Sequence, residues 1–191
     1  MLEKIINLDK ELLVFLNGLG SPTYDGFWLI ITRQIYWTPI FLLVFYLMYK
    51  KIGLKNLLIS IIFIAVLILI CDQTANLFKN SFKRLRPCND LEINTVIRIV
   101  KSSKTFSYFS GHATNSMATA MFVFLIIRKQ YKYTFLLFLF PLIFAYSRIY
   151  LGLHFPLDII SGYVFGAIIG FIFYKLYQLY LNNFALKELD L

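Results

Sequence analysis

Residues 55–78 read KNLLISIIFIAVLILICDQTANLF. The run from Asn56 to Cys71 carries no charge, and Lys55 to Phe78 reads as one continuous helix. That length passes the roughly 20 residues a bilayer needs at about 1.5 Å per residue. Four more uncharged stretches lie around it: Gln34–Tyr49, Ala113–Ile127, Tyr133–Ser147 and Ile159–Tyr174. Each is slightly short of a span on its own and suits a buried soluble helix equally well. Together with the first they leave too little polar surface in a 191-residue chain to enclose them. Charged groups at their ends extend the helices to spanning length. The expected fold is all-α, a polytopic membrane bundle of five transmembrane helices plus an amino-terminal helix.

Composition agrees. The chain is 59% hydrophobic, 18% aromatic and 15% charged, with 20 Phe and 13 Tyr, and its mean hydropathy is +0.70. These values exclude an ordinary soluble domain, a disordered chain and a disulfide scaffold. The net charge of +9 would suggest nucleic acid on a soluble protein. On a membrane chain it reads first as cations at helix ends facing lipid headgroups, so membrane lipids and not nucleic acid are the expected partners. Cys71 and Cys88 are too few for a framework, and Cys71 sits in an apolar run as packing. Tyr36, Trp37, Tyr131 and Tyr133 suit an interfacial aromatic belt.

Residues 1–20 mix Glu3, Lys4, Asp9, Lys10 and Glu11 with Ile5, Ile6, Leu12, Leu13, Phe15 and Leu16. That is too charged for hydrocarbon and unlike a cleaved signal, so an interfacial amphipathic helix is expected, with a sixth span as the alternative. Asn17 to Pro22 is a turn, with Ser21 and Pro22 placed to start the next helix. Pro39 and Pro141 predict kinks within spans. Gly162, Gly166 and Gly170 form a small stripe that lets another helix approach closely, for packing in the bundle or for dimerisation. The organisation expected is one domain over 1–191: the interfacial helix to residue 20, a catalytic bundle over 21–181 and a cytoplasmic tail over 182–191.

Charge divides the loops evenly. Lys50, Lys51, Lys55, Arg128, Lys129, Lys132, Lys175 and Lys187 fall on one side, and Lys79, Lys83, Arg84, Arg86, Arg98, Lys101, Lys104 and Arg148 on the other. Setting aside Lys79, Arg86 and Arg148 as chemical groups makes the first side cytoplasmic by the positive-inside rule.

Chemistry gathers on the second side. Lys79 and Arg86 close the second span; Pro87 ends the helix near Leu85, and the two would share a face if the helix lasted that far. Alone they read as headgroup anchors. Ser110-Gly111-His112 opens the third span, with Ser110 as N-cap, Gly111 allowing close approach and the helix start suited to phosphate. Alone it fits a capped helix with an interfacial histidine equally well. Arg148 closes the fourth span, His154 precedes the fifth, and Asp158 falls in its first turn after Pro156. Asp158 can take the N–H of one imidazole nitrogen and leave the other as acceptor or nucleophile. Even numbers of spans return the chain to one face, so the three clusters meet there. Three cations, a helix start, two imidazoles and a carboxylate make a phosphate site with a nucleophile, an orienting group and an acid. No cluster of carboxylates or Cys/His at metal spacing occurs in the sequence, so no metal or other cofactor is expected.

The pattern Lys79-x6-Arg86-Pro87, Ser110-Gly111-His112 and Ser147-Arg148-x5-His154-x3-Asp158 resembles the three-part signature of the type 2 phosphatidic acid phosphatase (PAP2) superfamily. The likeness covers roughly residues 55–180, and Phe109 departs from it where the family usually has Pro. The resemblance implies that His154 attacks phosphorus, Asp158 orients it, and His112 protonates the leaving oxygen and later activates water. It implies that Lys79, Arg86, Ser110, Gly111 and Arg148 cradle the phosphoryl oxygens without a metal. The substrate expected is an amphiphilic phosphate or pyrophosphate, such as undecaprenyl pyrophosphate, phosphatidylglycerol phosphate, phosphatidic acid or a lipid A phosphate. The expected place is a bacterial inner membrane, with the site facing the periplasm or exterior. The alternatives are a phosphotransferase using the same site and a non-catalytic lipid-binding or transport protein. The loop over 88–107 can cover the site and select the headgroup, or simply be solvated.

Overall fold

The computed structural model describes residues 2–189, and their side chains from 3 to 183. Six α-helices account for the fold: α1 Leu2–Gly18, α2 Asp25–Ile31, α3 Thr38–Phe82, α4 Gly111–Ile127, α5 Leu139–Tyr150 and α6 Pro156–Leu189. The described residues contain no strand. Two apolar helical segments are long enough to cross a membrane, within residues 34–89 and 156–183. Gly111–Ile127 and Thr134–Tyr150 are shorter apolar helices.

The 45-residue α3 is two helical arms meeting at Gly53, whose φ of 72° and ψ of 171° are non-helical. Only a residue without Cβ adopts that backbone cheaply. The break falls between the two apolar stretches read from the sequence. It is also where the chain bends, and the expected proline kinks are not. Pro39 sits in the first turn of α3, where it belongs in any helix. Pro141 lies early in α5, just past a 3₁₀ stretch over Thr134–Phe138. Ser21 and Pro22 do start a helix, a short 3₁₀ turn in which Ser21 Oγ accepts from Thr23 N.

Residues 54–82 form the second arm. It stops at Phe82, because Lys83 takes a left-handed φ of 48° while its N–H still reaches Lys79 O at 2.9 Å. Lys79 therefore lies in the last turn, and Arg86 stands beyond the helix in extended backbone. The helix ends before Arg86, as Pro87 predicts, though at Phe82 and not near Leu85, and the chain turns Lys79 and Arg86 together.

Helix α4 is the hub and packs most extensively on α6. The glycine stripe makes this contact. A Cβ on Gly162 would lie 2.9 Å from Ser110 O, on Gly166 2.5 Å from Thr114 O, and on Gly170 2.5 Å from Ala118 O. The stripe thus serves packing within the bundle, and it brings the start of α4 against the start of α6. Leu67, Cys71, Phe122 and Phe173 fill the core on one side of α4. Leu13, Ala113, Ile149 and Phe155 fill a second core nearer the chain's chemistry. The outward residues of the long helices, such as Leu58, Ile62, Leu69, Val164 and Ile168, are exposed and apolar, as a lipid-facing surface requires.

Helix α1 is amphipathic. Asp9, Leu13 and Asn17 are buried on one face against α5 and α6, while Leu8, Leu12 and Phe15 face outward. The segment read as a tail continues α6 through Leu189. Residues 190–191 and the side chains from 184 onward, Lys187 included, lie outside the described residues.

Gly166→Ala forces backbone apart and should destabilise the protein by about 1–3 kcal/mol. Thermal unfolding in detergent should show a lower Tm for it. Gly26→Ala, where nothing lies within 4 Å, should show none of that loss.

Candidate active site

The loop over 151–155 joins α5 to α6 and carries His154. Gly152, at φ +74°, reverses the chain. The N–H groups of Leu153 and His154 then both return to Arg148 O, at 2.9 and 3.3 Å. Pro156 starts α6, so Asp158 falls in its first turn, where the helix dipole favours a carboxylate. His154 and Asp158 are 2% and 0% exposed. His154 Nδ1 lies 3.3 Å from Asp158 Oδ2. That oxygen also accepts Phe155 N–H at 2.9 Å and the Ser107 hydroxyl. With Nδ1–H donating to Asp158, Nε2 keeps its lone pair, and Arg86 Nη1 stands 3.1 Å from it. Burial pushes the His154 imidazole down to about 3, against the raising effect of the Asp158 hydrogen bond, and Arg86 lowers it further. The ring is therefore neutral at physiological pH, as a nucleophile must be.

Arg86 is 5% exposed and tightly held. Its Nε donates to Thr105 O and its Nη2 to Thr105 Oγ1, both at 2.9 Å, and Nη1 also reaches Leu153 O at 3.0 Å. Arg148, in the last turn of α5, donates from Nη1 to Thr32 Oγ1 at 2.7 Å, while its buried Nε has no partner in the protein. Ser110 caps α4, accepting Ala113 N–H at 3.4 Å, and its own N–H donates to Asp158 O at 3.0 Å. Lys79 reaches over this helix start: a Cβ on Gly111 would lie 3.8 Å from Lys79 Nζ. His112 stacks on Phe144, with ring centroids 4.9 Å apart and planes 19° apart. It lies within electrostatic range of Arg148, His154, Lys79 and Arg86.

The structure gathers all eight residues singled out in the sequence, Lys79, Arg86, Ser110, Gly111, His112, Arg148, His154 and Asp158, at one end of the bundle. Among the described residues no group of three His, Cys, Asp or Glu is placed to hold a metal ion. Sequence reasoning missed the supports. Thr32, Thr105 and Ser107 come from turns and loops with no signature of their own. Arg84, tallied only as a loop cation, donates to Asp158 Oδ1 at 2.8 Å; its place two residues before Arg86 was the available signal. The loop over 88–107 lends Thr105 and Ser107 to the site and is tied to α1 by Lys10, which pairs with Asp90 at 3.5 Å and with Glu92. Phe109 is buried against Phe78 and Phe165, with ring centroids at 5.0 and 5.2 Å, so packing holds the segment ahead of Ser110.

A family model described as the PAP2 superfamily matches residues 53–181. The chain belongs to the PAP2 superfamily. It is a lipid phosphatase with two helices long and apolar enough to cross a membrane. It is 34% identical over 178 residues to the lipid A 4'-phosphatase of Bacteroides thetaiotaomicron, an alignment covering 91% of this chain and 79% of that one. It is 28% identical over 174 residues to an undecaprenyl-diphosphatase of Sulfolobus acidocaldarius, covering 89% and 79% of the two chains. Its fold is similar to the crystal structure of the transmembrane PAP2 type phosphatidylglycerolphosphate phosphatase from Bacillus subtilis. There the TM-score is 0.69 at 16% identity, over 91% of this chain and 86% of that one.

The buried imidazole makes stability pH-dependent. Its folded-state value lies below the ordinary 6.5, so the unfolded chain binds a proton that the folded chain refuses. Stability is full above the unfolded value of 6.5 and falls as pH drops from there toward 3. His154→Gln, which cannot titrate, should lose less Tm than wild type between about pH 6.5 and about pH 5 in detergent. Parallel losses would show that His154 is not buried neutral.

Proposed function

We propose that the chain removes phosphate from an amphiphilic phosphate, with a lipid A 4'-phosphate as the leading substrate, through a covalent phosphohistidine at His154. The neutral His154, with Nδ1 engaged by buried Asp158 and Nε2 beside Arg86, is the observation that carries this reading. The more similar of the two relatives named above supports the substrate; the more distant one supports undecaprenyl pyrophosphate as second choice. We place five spans in the membrane, α1 at the interface, and the site at the outer face of a bacterial inner membrane. The positive-inside count supports that orientation. All of residues 1–191 then serve one catalytic unit.

The chemistry runs in two displacements. Nε2 of His154 attacks phosphorus as the bond from phosphorus to the alcohol oxygen breaks, and His112, charged when the phosphate dianion is bound beside it, delivers its proton to that oxygen. The imidazolium character that develops is held by Asp158. Water then attacks the phosphohistidine, giving its proton to His112; the P–N bond breaks, its electrons return to Nε2, and inorganic phosphate leaves. Lys79, Arg86, Arg148 and the N–H groups at the start of α4 stabilise the phosphoryl oxygens throughout. Arg148 Nε, buried without a protein partner, is satisfied by one of those oxygens. An apolar cleft of about 240 Å³ between α3 and α4, lined by Phe41, Ile68, Ser116, Val123 and Phe140, starts one turn below His112 and suits a hydrocarbon chain.

Phosphate release from lipid A, undecaprenyl pyrophosphate, phosphatidylglycerol phosphate and phosphatidic acid, with chelator present, tests the assignment. Turnover should be highest with lipid A, and His154→Ala should lower it by several orders of magnitude. Wild-type turnover in that variant contradicts the mechanism. A phosphorylated acceptor in place of free phosphate would make the chain a phosphotransferase.

A further inference from the structure

Arg84 stands outside the phosphate cradle, and both ends of its fork are already taken. Nη1 donates to Asp158 Oδ1 at 2.8 Å, and Nη2 to Asp9 Oδ2 at 2.6 Å. Its guanidinium lies over the Phe155 ring, 3.8 Å from the centroid. Asp9 belongs to α1, and its second oxygen accepts the N–H of Leu157 at 2.8 Å. One carboxylate from the amino-terminal helix thus caps the start of α6 and anchors the arginine that grips the acid in its first turn. Two turns on, Asn17 Nδ2 donates to Ile149 O and Tyr150 O, both at 3.0 Å. Helix α1 therefore clasps the end of α5 and the start of α6, the two stems of the loop that carries His154.

From this geometry we infer that Arg84, held by Asp9, is a positioning residue that fixes the Asp158 carboxylate for His154. The inference rests on His154 being the nucleophile. Asp158 Oδ2 faces His154 Nδ1, Phe155 N–H and Ser107, whereas Oδ1 faces Arg84. Lys79, Arg86 and the Asp9 carboxylate are the other charges in range. The forked, planar guanidinium sets the carboxylate's rotation about Cβ–Cγ, and that rotation decides whether Oδ2 meets the imidazole. Removing it leaves a wholly buried oxygen unpaired and two carboxylates facing each other uncompensated. Arg84 forms no bond to the substrate and donates no proton in the reaction; its effect passes entirely through Asp158. The amino-terminal helix, beyond the stretch matched by the family model, becomes part of the catalytic apparatus by this route.

The test measures kcat and KM on the full chain in detergent micelles with a lipid phosphate substrate. The variants are Arg84→Met, Asp158→Asn, the two combined, and Asp9→Asn, with His154→Ala alongside. Arg84→Met should lower kcat about 10–100-fold, the size of effect typical of residues that orient a catalytic group, with KM within about twofold. Combined with Asp158→Asn it should add no further loss, since both act through one carboxylate. Asp9→Asn keeps an acceptor for Leu157 but loses its charge, and should show a smaller fall in kcat with the same non-additivity; it carries the comparison if Arg84→Met does not fold. Unchanged kcat in the Arg84 and Asp9 variants overturns the inference. So does a raised KM at normal kcat, or losses that multiply in the Asp158→Asn background. Activity retained by His154→Ala removes the nucleophile reading itself. An inactive His154→Ala beside a normal Arg84→Met removes only the role of Arg84.

Discussion

One buried carboxylate organises this end of the molecule. Asp158 is fully enclosed, and His154, Arg84, Ser107 and the Phe155 N–H all converge on it. An ionised acid in such a place is tolerable only with opposite charge and donors around it. Meeting that demand pins four separate pieces of chain: the turn after α3, the loop before α4, the loop before α6 and, through Arg84, helix α1. The same set of contacts holds the imidazole in one tautomer, with a lone pair directed among cations, while burial and Arg86 keep it neutral. Stability and reactivity here share a cause.

The glycine stripe supplies the scaffold on which this becomes possible. Side chains larger than hydrogen at Gly162, Gly166 or Gly170 would meet the backbone of α4. Close approach of α4 and α6 sets the start of α4 beside the first turn that carries Asp158, and Ser110 N–H closes the joint on Asp158 O at 3.0 Å. Rigid elements packed this tightly hold a catalytic geometry that loops alone would let drift. The proposed phosphoryl cradle then needs few moving parts, because Thr105 and Thr32 already hold Arg86 and Arg148.

What the sequence disclosed follows from which forces are local. Apolar runs without charge inside them, bounded by charge, made the helices legible, and helix-end chemistry placed Ser110, Pro156 and Asp158 correctly. The rule that even numbers of spans return to one face was enough to unite three distant clusters. Kinks were misassigned because proline is visible in any sequence, whereas the backbone of Gly53 is not; both prolines sit near helix starts. The end of α3 was drawn too late, since Pro87 marks only the last residue a helix could reach, and Lys83 stops it earlier. The roles of Arg84, Asp9, Asn17, Thr32, Thr105 and Ser107 were not legible because each acts across a long sequence separation. Their residue types are ordinary, and only folding gives them partners.

Covalent transfer of phosphorus to His154 is the step on which the proposed function depends. The stereochemical course at phosphorus examines that step most directly, using a lipid thiophosphate made chiral with oxygen isotopes. Two successive in-line displacements predict overall retention of configuration in the released thiophosphate. Inversion would mean a single attack by water and would contradict the phosphohistidine.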